Sequence, residues 1–350
     1  MKKTLIALAA VAASSAAFAQ STVTLSGTVD TGLEDVGGTN SPLRMVASRL
    51  GTSNWTVSGT EDLGGGLKAI FKVSTSFNSD DGTTAAHPTG AASGLGQLGN
   101  NDMWVGLQGG FGTLKLGRSF DVVFTAAQTA NSTKGVTGYN TRNGTLDGNG
   151  AYLSNQVLYT TPNFGGFTAS VQYAPSEVNG VDDNYGIGLA YAAGPLVLTA
   201  AHSKIYNNDG VAGGTSAATP AGAALAAYRN GNAVTLFGAS YNFGVAKVLF
   251  SYTDRQGVVS TADNSWGLGV TAPVGPGELW ASFDRSEYGA GTTRVIHGGY
   301  KYFLSKRTTA YVNIGHKKNP QQAFNATPAT TAAQTGKGVT GWGIGLAHNF

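Results

Sequence analysis

The sequence contains no cysteine. Whatever stability the chain has comes from its architecture, without the cross-links on which small secreted domains depend. Charge is also scarce, with Asp, Glu, Lys and Arg making up 12% of residues, and the cationic residues are scattered singly or in pairs. A nucleic-acid partner, which calls for a basic stripe, is excluded on that ground. Beyond the first nineteen residues no apolar run approaches the ~20 residues of a membrane helix. The longest candidate, residues 217–227, is broken by Pro220 and Gly222, so helices are not what would cross a bilayer.

Signatures of catalysis are missing too. The five histidines, His87, His202, His297, His316 and His348, show no i, i+4 pairing and no H-E-x-x-H, and there is no G-x-S-x-G elbow. The sequence predicts no enzyme, no metal site and no cofactor. The Gly-rich stretches GGGLK and GGFG run into strand-like sequence, which makes them turns and not phosphate cradles.

What is present begins with an export signal. Lys2 and Lys3 precede an apolar stretch over residues 5–13, and Ala17-Phe18-Ala19 supplies a small-x-small cleavage site. The apolar stretch is about half the ~20 residues a membrane anchor needs. The reading is a signal peptide over residues 1–19 and one mature domain over 20–350. Cleavage takes Lys+Arg from 22 to 20 against 19 Asp+Glu, so the net charge falls from +3 to about +1.

The 52 glycines suit tight turns and crowded strands. Between the turns the residues alternate with a period of two, the mark of strands with one apolar and one polar face. Val23, Leu25, Val29 and Leu33 oppose Thr24, Ser26, Thr28 and Asp30, and Leu67, Ala69, Phe71 and Val73 oppose Lys68, Lys72, Ser74 and Ser76. A soluble β-sandwich would alternate in the same way. Two further features favour a transmembrane barrel. Tyrosines and Trp266 gather near the ends of apolar faces, as in interfacial girdles, and the connections alternate between short and long. Seven short connections fall at 62–67, 109–112, 162–166, 192–195, 242–244, 273–277 and 304–307. Seven hairpins join fourteen strands, and the first and last strands make sixteen, an even number that lets an antiparallel barrel close with no open edge and leave an aqueous interior. The last strand carries Trp342, Ile344, Leu346, His348 and Phe350 on one face and ends on that phenylalanine.

The stretches TEDLGGGLKAIF (60–71), VGLQGGFGTLKLGR (105–118), YTTPNFGGFTASVQYA (159–174), GASYNFGVAK (238–247), KYFLSKRTTAYVNIGH (301–316) and the terminal GIGLAHNF closely resemble the general-diffusion porins of β-proteobacteria. The resemblance spans nearly the whole mature chain. It implies an all-β, 16-stranded antiparallel transmembrane β-barrel of the Gram-negative outer membrane, a homotrimer bathed in outer-membrane lipid, with its third long loop, here 119–151, folded inward as a constriction. The implied function is passive diffusion of small hydrophilic solutes and ions. A substrate-selective channel is the alternative, with Trp104 and Trp280 inward by parity, and a non-conducting adhesin is the third reading.

Selectivity in a wide pore comes from charged side chains on the lumen face. Strand parity turns Lys68, Lys72 and Lys115 inward, along with Asp30, Asp284 and His297, while Lys134, Arg142, Asp121 and Asp147 belong to the third loop. Asp30 and Asp284 are expected to pair with neighbouring Lys or Arg. Arg118 has lipid-side parity, so it must pass beyond the apolar band or follow a bulge. Two positions depart from the family. Its S-R-x-G segment before the ED-L-G-G-G turn becomes S-N-W-T with Asn54 in place of arginine, and the basic residue opening the fourth strand becomes Asn101 followed by Asp102. With a lumen of mixed sign the expectation is weak selectivity leaning to anions.

Overall fold

The computed structural model describes residues 21–37, 42–84, 98–130, 152–177, 182–206, 231–256, 264–288, 291–318 and 338–350. The expected signal peptide over residues 1–19 and the larger part of the 119–151 segment, with Lys134, Arg142 and Asp147, lie outside them. The strands are β1 (Thr22–Asp35), β2 (Arg44–Ala47), β3 (Asn54–Gly64), β4 (Leu67–Ser76), β5 (Met103–Gly109) and β6 (Gly112–Phe120). Helix α1 (Val122–Ala130) follows, then β7 (Tyr152–Thr160), β8 (Phe167–Ala174), β9 (Asn184–Ala193), β10 (Leu196–Ile205), β11 (Asn232–Asn242) and β12 (Lys247–Gln256). The wall is completed by β13 (Asn264–Val274), β14 (Gly277–Tyr288), β15 (Gly291–Phe303), β16 (Thr308–Lys318) and β17 (Gly338–Asn349).

Each strand pairs antiparallel with its chain neighbours, and the ring closes where Thr28–Asp35 of β1 meets Asn349–Trp342 of β17. On its other edge β1 pairs with β3, Thr22 opposite Thr60 through Thr28 opposite Asn54. Closure gives the backbone N–H and C=O groups partners within the wall, as hydrocarbon demands. All seven short turns fall where the sequence puts them. Gly64, Gly65 and Gly66 all adopt left-handed φ between β3 and β4, which is why that turn is built of glycine.

The structure differs from the sequence reading in two places. β2 and β3 are two pieces of one barrel strand: Arg44–Ala47 continues along β1 opposite Glu34–Thr31, and residues 48–53 bulge out between the pieces. The barrel therefore has sixteen strands, the second of them interrupted. Secondly, β14 and β15 stay paired as far as Tyr288 opposite Gly291, on the side where the sequence reading puts the longer loops.

The two faces of the wall are inverted relative to a soluble protein. Outward side chains are large, apolar and bare, Ile296 at 60% exposure and Phe237 at 53%, whereas inward ones such as Thr253, Ser286 and Thr293 are polar and almost wholly covered. Such a continuous apolar exterior belongs in lipid, which rules out the soluble sandwich. Aromatic pairs mark its margins: Phe167 packs on Tyr191 near the short turns, and Tyr173 stands opposite Tyr185 near the long loops. At the seam the Phe350 ring lies over Gly27, where a Cβ would come within 2.5 Å of the ring.

Candidate functional site

Among the described residues, polar clusters and a docked helix line the inner wall. The first is built by the interruption of the second strand. Two residues of β1, Val29 and Asp30, face the six of segment 48–53, and the inward carboxylate of Asp30 holds that segment: Leu50 N and Gly51 N donate to its Oδ2 at 2.5 and 2.8 Å. Tyr311 donates its hydroxyl to Oδ1 from across the seam at 2.7 Å. Held in this way, the bulge presents Arg49 to Glu34, and Arg44, directly opposite Glu34 in register, joins it. Glu34 is 1% exposed, Arg49 15% and Arg44 31%. Two guanidinium groups share the Glu34 carboxylate, and with Asp30 beside the bulge the cluster holds two cationic and two anionic side chains.

The second cluster spans β4, β5 and β6. Lys72 and Trp104 stand opposite each other, and both reach Asp102: Lys72 Nζ lies 2.7 Å from Oδ2 and Trp104 Nε1 donates to Oδ1 at 3.1 Å. Lys115 sits over the Trp104 ring, 4.6 Å from its centroid. Again two cations meet one carboxylate. Lys68 faces the same way but is exposed, in register with Gln108 and one residue past the start of β4, where it serves the rim. Asn54 turns inward, donating its Nδ2 to the Thr52 carbonyl. Asn101 is buried with its backbone N bonded to Ser74 O.

The third cluster is on β14 and β15, where Ser282, Asp284 and His297 meet. One imidazole nitrogen, Nε2, contacts both the Ser282 hydroxyl and Asp284 Oδ2, while Nδ1 has no described partner. A hydrolytic triad needs the serine and the carboxylate on opposite nitrogens so that the proton can be relayed. The described hydrogen bonds of Asp30 come from Leu50 N, Gly51 N and the Tyr311 hydroxyl, and those of Asp284 from Ser282 and His297. Nearer the short turns Lys301 pairs with Glu278 at 2.9 Å.

Arg118 follows the bulge alternative. Opposite it β7 has two residues, Ser154 and Asn155, the latter at φ 55°, between the pairs Gly117–Gln156 and Ser119–Leu153. Its guanidinium donates to the Asn100 carbonyl at 3.1 Å and the Ser154 hydroxyl at 2.6 Å, and lies over Tyr152. The chain then enters α1. Asp121 caps the helix, accepting from Val123 N at 2.7 Å and from Gln172 Nε2 at 2.5 Å. Burial outweighs these bonds and holds its pKa above the usual carboxylate value. Val123 and Ala126 of α1 pack against Ala201, Val234 and Leu236 of β10 and β11, on the face of the wall turned away from lipid.

The two arginines of the first cluster were not found by parity, although a signal for one existed. The motif S-R-x-G does occur in this chain, as Ser48-Arg49-Leu50-Gly51, upstream of Asn54 on the bulge.

The sequence from residue 4 to residue 322 matches the family model of the Gram-negative porins. The chain belongs to this family. This porin is 36% identical to outer membrane porin protein 32 of Delftia acidovorans, with all of both chains covered. Its fold matches that of the anion-selective porin from Comamonas acidovorans with a TM-score of 0.72 and 30% identity, over 95% of this chain and 100% of the other. Vibrio cholerae OmpT, solved in a trimer form, shares the architecture at a TM-score of 0.64 and 15% identity, covering 94% of this chain and 99% of that one. The protein is thus an outer-membrane porin, a β-proteobacterial type of water-filled channel.

Proposed function

We propose that this porin passes small hydrophilic solutes and ions by diffusion, favours anions weakly, and does so without catalysis. The observation that carries the reading is the arrangement of Arg44, Arg49, Lys72 and Lys115 along one stretch of inner wall, β2 to β6, where the described carboxylates beside them are Asp30, Glu34 and Asp102. A solute moving along that wall meets more positive than negative charge, and in a confined aqueous passage this biases entry. The solved relative named as anion-selective supports the same sign. The single-nitrogen geometry of His297 supports a structural role for the Ser282 cluster.

The segment that follows β6, starting with Asp121 and α1, narrows the passage; its docking on β10 and β11 supports this. Residues 1–19 are removed on export, in keeping with a first strand that begins at Thr22. The working unit is a homotrimer, as for the solved OmpT form, with the apolar exterior facing lipid and neighbouring barrels. The test is the zero-current potential of refolded protein in a planar bilayer under a KCl gradient, with openings counted in groups of three. An anion-favouring potential that shrinks in Arg49→Ala and Lys115→Gln supports the reading, and a cation-favouring one refutes it.

A further inference from the structure

From β14 to β1 one inward row alternates large side chains with glycine. Trp280 stands opposite Gly299, Gly299 opposite Asn313, Asn313 opposite Gly343, and Gly343 opposite Glu34. Polar atoms of the neighbours reach over the two glycines. A Cβ at Gly299 would stand 2.9 Å from Trp280 Nε1, and one at Gly343 would stand 2.8 Å from Asn313 Oδ1. Glycine inside a strand marks a place where something approaches the backbone closely, and here it leaves the indole N–H and the amide leaning over bare main chain.

These polar atoms lack hydrogen-bond partners among the described residues: Trp280 Nε1 and both Oδ1 and Nδ2 of Asn313. The two side chains are nevertheless deeply covered, at 4% and 3% exposure. A buried hydrogen-bonding group without a partner is costly, and Asn313 carries that cost at both ends of its amide. The indole is held in place all the same. Its ring meets the His297 ring edge-on, with 5.0 Å between centroids and 71° between planes, and His297 is fixed through Nε2 by Ser282 and Asp284. The Ser282 cluster thereby sets the plane of Trp280.

The donor set says what would satisfy the row. An indole N–H only donates, an amide both donates and accepts, and neither carries charge. An anion would leave Asn313 Oδ1 unpaired, with the Glu34 carboxylate the next side chain along the row. A cation would find no acceptor at the indole. Neighbouring hydroxyls, each able to donate and to accept, answer all three atoms, and an apolar C–H face beside them suits bare glycine backbone and an aromatic ring. A sugar carries both.

We infer that Trp280 and Asn313, with Gly299 and Gly343 beneath them, form a binding site for a neutral saccharide on the inner wall. The inference rests on the porin reading, because the solute reaches the row through an aqueous lumen, and it adds a saturable site that uses none of the cations.

The test is titration of D-glucose onto folded barrels in a polyoxyethylene detergent, which has no sugar headgroup, read by saturation-transfer NMR. Glucose should bind saturably, with an affinity that a tenfold rise in KCl leaves unchanged, since no charged group takes part. Asn313→Leu, similar in size, should weaken binding by about tenfold through loss of two neutral hydrogen bonds, and Trp280→Phe by about threefold or more through loss of one. Asn313→Leu should unfold at no lower urea concentration than wild type, because it removes an unpaired amide; an amide serving only the wall would lower it. Single-channel openings of the same preparation without sugar test the porin reading separately. Absence of a saturable signal, as when water alone fills the row, equal affinity in wild type and both variants, binding weakened by salt, or a lowered urea midpoint in Asn313→Leu would each overturn the inference.

Discussion

Arg49 holds Glu34 at two points, Nε to Oε2 at 2.5 Å and Nη2 to Oε1 at 2.6 Å, from a segment that the regular strand ladder does not contain. Arg44 bonds to Oε1 of the same carboxylate at 2.6 Å. Glu34 thereby sets how much of the arginines' charge the lumen feels.

Glu34→Gln should move the zero-current potential further toward anions, because two guanidinium groups lose their shared counter-charge. It should also destabilise the barrel, by about 1–3 kcal/mol once the several kcal/mol typical of a broken buried pair is discounted for the partly hydrated arginines. Urea unfolding of refolded protein measures the second effect. A potential that moves toward cations would contradict the role given to Glu34.

Asp102 occupies the equivalent place between Lys72 and Lys115. Asp102→Asn should increase anion preference in the same assay, and Lys115→Gln should reduce it. The two substitutions are expected to offset each other when combined, and a strictly additive double variant in which neither single change moves the potential would remove this cluster from the conducting path.

Asp121 ties α1 to the wall. Because its folded pKa is raised, the docked state is most favoured below the unfolded carboxylate value and loses stability as pH rises through the raised folded value. Protection factors in α1, with the intrinsic pH dependence of amide exchange divided out, should therefore be higher at mildly acidic pH than at neutral pH, and Asp121→Asn should flatten that dependence. Asp121→Ala removes the cap, at a cost of about 1 kcal/mol, and should speed exchange at every pH. A protection factor in α1 that does not change with pH in wild type would contradict the role given to Asp121.

Barrel closure depends on a contact between the two ends of the chain. Gly27 N donates to Phe350 O at 3.1 Å and Phe350 N to Gly27 O at 3.0 Å, with the ring lying over the glycine. Gly27→Val would put side-chain atoms where the ring and the Asn54 carbonyl already are, so refolding yield, read as the heat-modifiable fraction on a gel, should fall sharply. Phe350→Ala should lower it too. Normal yield in both variants would show that the seam closes without this packing.

Most of the wall was legible in the chain itself. A period of two is a property of the strand backbone, so alternation identified the lipid face and the lumen face, and glycine-rich turns such as Gly64–Gly66 set the strand count because few other residues accept those dihedrals. Parity placed Lys72, Lys115 and His297 inward, and the structure agrees. Parity stops at irregularities, however, since each added residue flips everything after it. That is why Arg49 on the 48–53 bulge was missed and why Arg118, beside the two-residue bulge of β7, had two possible fates. The sequence by itself determined the architecture and the family, through patterns local to each strand. Only the tertiary structure decided which charges meet, because Asp30 with Tyr311 and Glu34 with Arg49 are brought together by register and closure, which depend on every strand being in place at once.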